Sequence, residues 1–389
     1  MRARRRLAKM GLNTKSIQAF LRDTVEADLH AKTVLSLSMG TVGVLTAASL
    51  CIHVVGRALA WAEGGDPKHA IKQFDRLLSN ANVSIWNMAE SWAQFVVGER
   101  KEVLVALDWT EFDADDHSTL AAYLVTRHGR ATPLLWRTIE KSALKEQRNQ
   151  WETELLGRLR QAIAADVKVT ILADRGFGDH KRYEQLRSIG LDYAIRFRQG
   201  IQVCDQYGDR RAAGEWLMPS GRARMLKDMA VTDDFYIVPA VVVVHAKRMK
   251  EPWCIATSRS DLSAADVAKL YGRRFSIEET FRDEKDIHFG MGLSATHIGS
   301  AERRDRLLLV AALAHVLLTL LGAAGERAGL DRTLKANTSK RRTLSLYNQG
   351  FYWFMAIPNM RLERLRPLIQ AFDEVLQEQA FFRGLLGTI

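Results

Sequence analysis

The sequence predicts an α/β fold: a mixed β-sheet core that carries a β-rich insertion, with all-helical regions before and after it. Three observations lead to this. Between 101 and 197, runs rich in Val, Ile and Leu alternate with segments of helical period. From about 198 to 260, short strand-like runs follow one another with basic residues between them. Before residue 100 and after 290, the apolar spacing is helical. These changes of pattern divide the chain into a helical region at 1–100, a core at 101–290 with its insertion at about 198–260, and a helical region at 291–389.

In the first region, 16–29 and 82–97 have helical periodicity. Asp66-Pro67 is a helix start, with Asp as N-cap and Pro at the first helical position. The helix that follows is amphipathic and basic, with Lys68, Lys72 and Arg76 along it. Two helices joined by a short turn, the second basic, suit docking in a DNA major groove; a solvated bundle helix is the competing reading. The segment 33–55 carries no charged side chain, a length compatible with a membrane span. Its load of Ser, Thr and Gly instead suits buried helices meeting at a glycine turn, and no membrane association is expected. The basic start, with Arg2, Arg4, Arg5, Arg6 and Lys9, lacks a signal-peptide apolar stretch and reads as an arm able to touch phosphate or simply solvated.

In the core, a strand to Leu107 is followed by strands at 120–126 and 131–138 around the turn signal His128-Gly129-Arg130. A long charged helix at 141–165 comes next, then a strand at 168–173, a helix near 181–189 and a strand at 192–197. Strands in the insertion fall at 201–205, 235–245 and 253–257. A helix capped by Ser263 leads into the segment from Tyr271 to Lys285. After 290, 301–321 reads as an apolar core helix. A basic loop with Lys335, Lys340, Arg341 and Arg342 precedes helices at 344–355 and 362–379.

Three places carry chemistry. On a continuous helix of about 100° per residue, Arg274, Glu278 and Lys285 fall at roughly −60°, −20° and −40° from Tyr271. A phenol, a guanidinium, a carboxylate and an ammonium therefore share one stripe, while Glu279 and Glu284 point elsewhere. Asp108 ends the apolar run Val103-Leu-Val-Ala-Leu107, and Asp174 ends Val169-Thr-Ile-Leu-Ala173 before a glycine-containing loop. An acid at a strand end is also what a turn or cap looks like. Three carboxylates brought together, however, repel one another unless a divalent cation neutralises them. Hard oxygen ligands suit Mg²⁺ or Mn²⁺, and a pair of such ions can serve both steps of a phosphoryl transfer.

The order Asp108, Asp174, Glu278, with Tyr-x2-Arg-x3-Glu-x6-Lys around the glutamate, resembles the DDE transposases of the insertion-sequence-four class. The resemblance covers about 101–289 and more loosely most of the chain. It implies a ribonuclease-H-like core and cut-and-paste movement of a DNA element. Asp108, Asp174 and Glu278 would be catalytic ligands of two Mg²⁺ (or Mn²⁺) ions. Tyr271, Arg274 and Lys285 would hold DNA phosphates or the cut strand end. The N-terminal region would bind the element's terminal inverted repeats, and the chain would act as a homodimer on DNA, with the terminal helix at 362–379 able to pack internally or to mediate that dimer. In this family the cut end attacks the opposite strand to leave a hairpin, and an aromatic receives a flipped base. Trp216 and Trp253 are candidates that no motif fixes.

The bulk numbers agree with a polyanionic partner: 389 residues carry a formal charge of +11. Cys51, Cys204 and Cys254 have no paired spacing, which argues against a disulfide framework or a cysteine zinc site and fits a reducing cytoplasm; the resemblance implies a bacterial cytoplasm, near the nucleoid. No nucleophile elbow and no phosphate-cradling Walker loop occurs, which argues against hydrolase-triad chemistry and ATP use. Two competing readings remain: a stand-alone nuclease with the same metal core, and a DNA-binding regulator with a silent core.

Overall fold

The run from Val103 to Leu107 is apolar at every position and is buried at every position. A strand like that needs cover on both faces, and the architecture supplies it. The computed structural model describes residues 13–25, 28–288 and 290–377. The basic arm from Arg2 to Lys9 and the last two positions of the expected 362–379 helix lie outside the described residues.

The core strands are β1 (Glu102–Phe112), β2 (His117–Leu124), β3 (Thr132–Glu140), β4 (Lys168–Ala173) and β5 (Asp192–Phe197). They lie in the order β3-β2-β1-β4-β5. β1 runs antiparallel to β2 and parallel to β4, and β4 runs parallel to β5. The crossovers are α-helical, Arg148–Ala162 between β3 and β4 and His180–Ser188 between β4 and β5. This is the mixed sheet of a ribonuclease-H-like fold. The expected 141–165 helix is shorter, because Lys141–Leu144 forms a separate 3-10 turn.

The insertion does not form a body of its own. Its strands β6 (Gln202–Cys204), β7 (Arg210–Ala212), β8 (Arg224–Val231), β9 (Tyr236–Val244) and β10 (Trp253–Thr257) continue the same sheet beyond β5, in the order β10-β9-β8-β6-β7. The join is antiparallel, from Cys254 opposite Phe197 to Thr257 opposite Ala194.

Among the N-terminal helices, Ala31–Ala47 and Ile52–Glu63 meet at 99°. The bend was expected at a glycine. It falls instead at Ala48, which adopts φ 49°, while Gly40 and Gly43 lie inside the first helix against Phe74 and Val55. The helix Pro67–Ser79 starts as expected: the Asp66 carboxylate accepts from the His69 backbone N–H at 3.0 Å, and Pro67 is its first residue. The 82–97 helix is confined to Ala89–Val97.

The helix Ala301–Arg327 is long and apolar enough to cross a membrane, but its apolar stretch is wholly enclosed by the protein. It packs on β3 and on the helices Leu346–Ala356 and Leu362–Gln377. Glycine is what allows the closest crossing. A Cβ on Gly322 would lie 1.9 Å from the Leu346 carbonyl oxygen, and one on Gly350 would lie 1.7 Å from that of Leu318.

Candidate active site

Strand register places the two aspartates. Leu107 is level with Ala173 on the parallel pair β1 and β4, so Asp108 and Asp174 are the next residues on neighbouring strands and point to the same side. Asp174 leaves its strand and caps a 3-10 turn at Arg175–Phe177, its Oδ1 accepting from the Gly176 N–H at 2.8 Å. The cap reading and the site reading therefore hold together, since one oxygen serves the turn.

The third acid arrives from the segment Ala264–Lys285, which departs from the expected continuous helix. A helix at Ala264–Gly272, with Ser263 capping the Asp266 N–H at 3.2 Å, is followed by a 3-10 turn at Arg273–Phe275 and a second helix at Ser276–Lys285. The stripe survives the break because Arg274 and Glu278 still stand one turn apart. Arg274 is 5 % exposed. Its Nη1 donates to Asp108 Oδ2 at 3.0 Å and its Nη2 to Glu278 Oε1 at 2.5 Å. One guanidinium thus joins the strand acid to the helix acid.

The charges in this cluster interact. Burial pushes Asp108 up to about 6; Arg274 pulls it down, and Asp174 and Glu278 push it up. Burial also raises the buried Tyr271 phenol, whose oxygen accepts from Arg274 and which senses Asp174. For Arg274, burial works against the charge, but Tyr271, Asp108 and Glu278 outweigh it and hold the guanidinium above its ordinary value. Lys285 sits farther along β1, donating to Thr110 Oγ1 at 3.2 Å and to the Glu111 carbonyl at 2.6 Å, with its ammonium 4.7 Å from the Phe112 ring centroid. Burial lowers its pKa. Arg274 and Lys285 therefore both reach the C-terminal half of β1, with Lys285 farther along it than the carboxylates.

The other acids of the helix are engaged elsewhere. Glu279 pairs with Arg282. Glu284 is not solvated: it is buried under β2, accepting from the Tyr123 hydroxyl at 3.3 Å, and burial pushes it up to about 8. Sequence reasoning missed the clamp that sets this helix. Thr280 exchanges 3.0 Å hydrogen bonds with the backbone of Ala131, and Arg130 pairs with Asp283. The available signal was the second stripe of the helix, in which Ile277, Thr280, Phe281 and Glu284 are all buried. Trp253 packs edge-on against Tyr271, ring centroids 5.0 Å apart, and so adjoins the stripe; Trp216 lies beneath Arg211 and Arg224 in the insertion. Lys68, Lys72 and Arg76 are exposed along one face of Pro67–Ser79, remote in sequence from the carboxylates.

Residues 99–317 match the transposase DDE domain family. The chain belongs to this family. The match takes in β1 to most of the helix Ala301–Arg327, and with it every residue of the stripe and both aspartates. No curated protein matches the chain.

A DDE transposase works with divalent metal ions, and the donor set here is of the right kind: three carboxylates, all oxygen donors, two of which raise the pKa of the third. As they stand, no three acidic, His or Cys side chains among the described residues are gathered closely enough to hold an ion. The Arg274 guanidinium lies between Asp108 and Glu278 and is bonded to both.

Proposed function

We propose that this protein is a cut-and-paste transposase of the insertion-sequence-four class, which binds the terminal inverted repeats of its element, cleaves DNA there and joins the freed end to target DNA. The observation that carries the reading is the pairing of Asp108 and Glu278 through one Arg274 guanidinium, with Asp174 level with Asp108 on the neighbouring strand. A Mg²⁺ or Mn²⁺ ion, or a pair, held by Asp108, Asp174 and Glu278 would polarise the scissile phosphodiester and lower the pKa of the attacking water or 3′-hydroxyl.

The chain's own groups do the positioning. Arg274 offers two N–H donors in a fixed fork, which matches two phosphate oxygens as well as it matches two carboxylates. Tyr271 orients that fork from the preceding turn, and Lys285 places an ammonium farther along β1, where the backbone of the cut strand would continue. Lys68, Lys72 and Arg76 present charge on an exposed helix that follows another helix after a three-residue turn, an arrangement suited to a DNA groove. The helical C-terminal region from 291 onward, whose last helix Leu362–Gln377 packs internally on Ala301–Arg327, would serve a homodimer on DNA.

Incubation with DNA from the flanks of the encoding gene plus Mg²⁺, read on strand-resolved gels, tests this. Release of 3′-hydroxyl ends that then join a target is the expected outcome. Cleavage without joining would make the protein a stand-alone nuclease, and neither reaction would leave a silent DNA-binding regulator.

A further inference from the structure

A pocket of about 400 Å³ opens at the other end of β1 from the carboxylates, lined in part by Glu102, Arg127, Arg259, Asp266, Lys269 and Arg273. Its charges are unequally engaged. Arg259 donates to Glu102 at 2.6 Å and to Asp261 at 2.8 Å, so its single charge is shared between two carboxylates. Asp266 accepts from the Ser263 hydroxyl at 2.6 Å. Arg127, Lys269 and Arg273 have no side-chain hydrogen bond or ion pair among the described residues. Arg127 and Arg273 both line the opening, and burial together with the Arg127 charge lowers the pKa of Arg273. Like charges near one another repel, and an anionic ligand would relieve that repulsion.

We propose that this pocket binds a phosphate of the DNA backbone, as a second anchoring subsite away from the carboxylates. The inference rests on the function proposed above. Leu104, on the pocket wall, precedes Asp108 by four residues, which is roughly 13 Å of strand. That is about four base-pair steps of duplex, so one DNA molecule spans both places. Arg273 and Arg274, adjacent in the 3-10 turn, serve the two ends: the first lines the pocket and the second bridges the acids. A phosphodiester is the matching chemistry because three cations, from a loop, a helix and a 3-10 turn, line one opening without a bonded carboxylate of their own among the described residues.

The double variant Arg127→Gln/Lys269→Gln removes two exposed cations and leaves Arg273 and the acids in place. Binding of a duplex that carries the element end is measured against salt for the full chain. The slope of log affinity against log salt should fall by about 0.9 per lost phosphate contact. Affinity at fixed salt should fall roughly tenfold, with metal-dependent cleavage at saturating protein unchanged. A slope and affinity equal to wild type would overturn the proposal. Titration of inorganic phosphate alone distinguishes the source: tight phosphate binding that the variant loses, with an unchanged DNA slope, would assign the pocket to a free anion and also overturn it. If wild-type protein binds and cleaves DNA while the variant is indistinguishable, only the pocket falls. If wild-type protein binds no DNA at any salt, the functional reading falls with it.

Discussion

Arg274→Ala is the most telling perturbation. The side chain is 7 % exposed and joins Asp108, whose side chain is 18 % exposed, to Glu278, whose side chain is 48 % exposed. The Asp108 bond is charge-assisted and buried, worth about 1.5–3 kcal/mol. The Glu278 bond is half in solvent and is discounted to below about 1 kcal/mol. The metal-free protein should therefore lose about 2–4 kcal/mol. Asp108, already pushed up to about 6, caps that loss by taking a proton. Removing the guanidinium also removes the competitor for the acids. Mn²⁺ should then bind the DNA-free variant roughly tenfold more tightly or better, the equivalent of one such bond, and should recover much of the lost melting temperature. Calorimetric or paramagnetic Mn²⁺ titration without DNA, beside thermal unfolding with and without Mn²⁺, reads both effects. Equal or weaker Mn²⁺ binding together with wild-type stability would show that Arg274 does not stand where the ion goes. Cleavage should be impaired in Arg274→Ala and in Arg274→Lys, because an ammonium cannot reproduce the fork.

Asp108→Ala, Asp174→Ala and Glu278→Ala should each abolish cleavage with DNA affinity largely kept, whereas Glu279→Gln should stay active; near-wild-type cleavage by any of the three alanine variants removes that residue from the site. Glu284 has a folded pKa of about 8 against an ordinary 4.5, so the folded state holds the proton more tightly. Stability should then fall as pH rises, by up to about 1.4 kcal/mol per unit between about 5 and 8. Glu284→Gln should flatten this dependence in urea titrations at several pH values, and a variant as steep as wild type would contradict the assignment. Gly350→Ala drives a Cβ to 1.7 Å from the Leu318 carbonyl oxygen and should lower the melting temperature by an amount equivalent to about 3 kcal/mol or more; an unchanged melting curve would mean that the two helices separate freely. Lys68→Gln, Lys72→Gln and Arg76→Gln should each weaken binding of terminal-repeat DNA and reduce the salt slope by about 0.9, which filter-binding or anisotropy measurements would check.

Much of the site was legible because its two aspartates follow strongly patterned runs. Lys168–Ala173, Asp192–Phe197 and Trp253–Thr257 have the expected bounds, whereas β1 runs on past Asp108 to Phe112, so this acid stands within a strand expected to end at Leu107. What escaped was weakly patterned. β8 was not foreseen: Asp228 stands mid-strand with φ 51°, and opposite that stretch Pro239 has no N–H to give, so alternation is lost. The break at Arg273–Phe275 was invisible because those residues form helix or 3-10 turn equally well, and only packing decides. A helical wheel shows that Glu284 points away from the stripe, not that Tyr123 of β2 covers it. The Arg130–Asp283 and Thr280–Ala131 contacts join residues about 150 positions apart, a separation that no local pattern reports.

The continuity of the ten-stranded sheet sets what can be removed from this protein. In a core of β1 to β5 alone, β5 would be an edge strand. Here its outer side is paired with β10 along Ala194 to Phe197, all but one of which are buried. Excising the insertion would leave a bare row of hydrogen-bonding groups on an apolar strand, a template for aggregation. The insertion is therefore a graft that cannot be cut away. Any shift of the insertion is coupled through continuous strand pairing to β5 and on to β4, the strand that leads into Asp174.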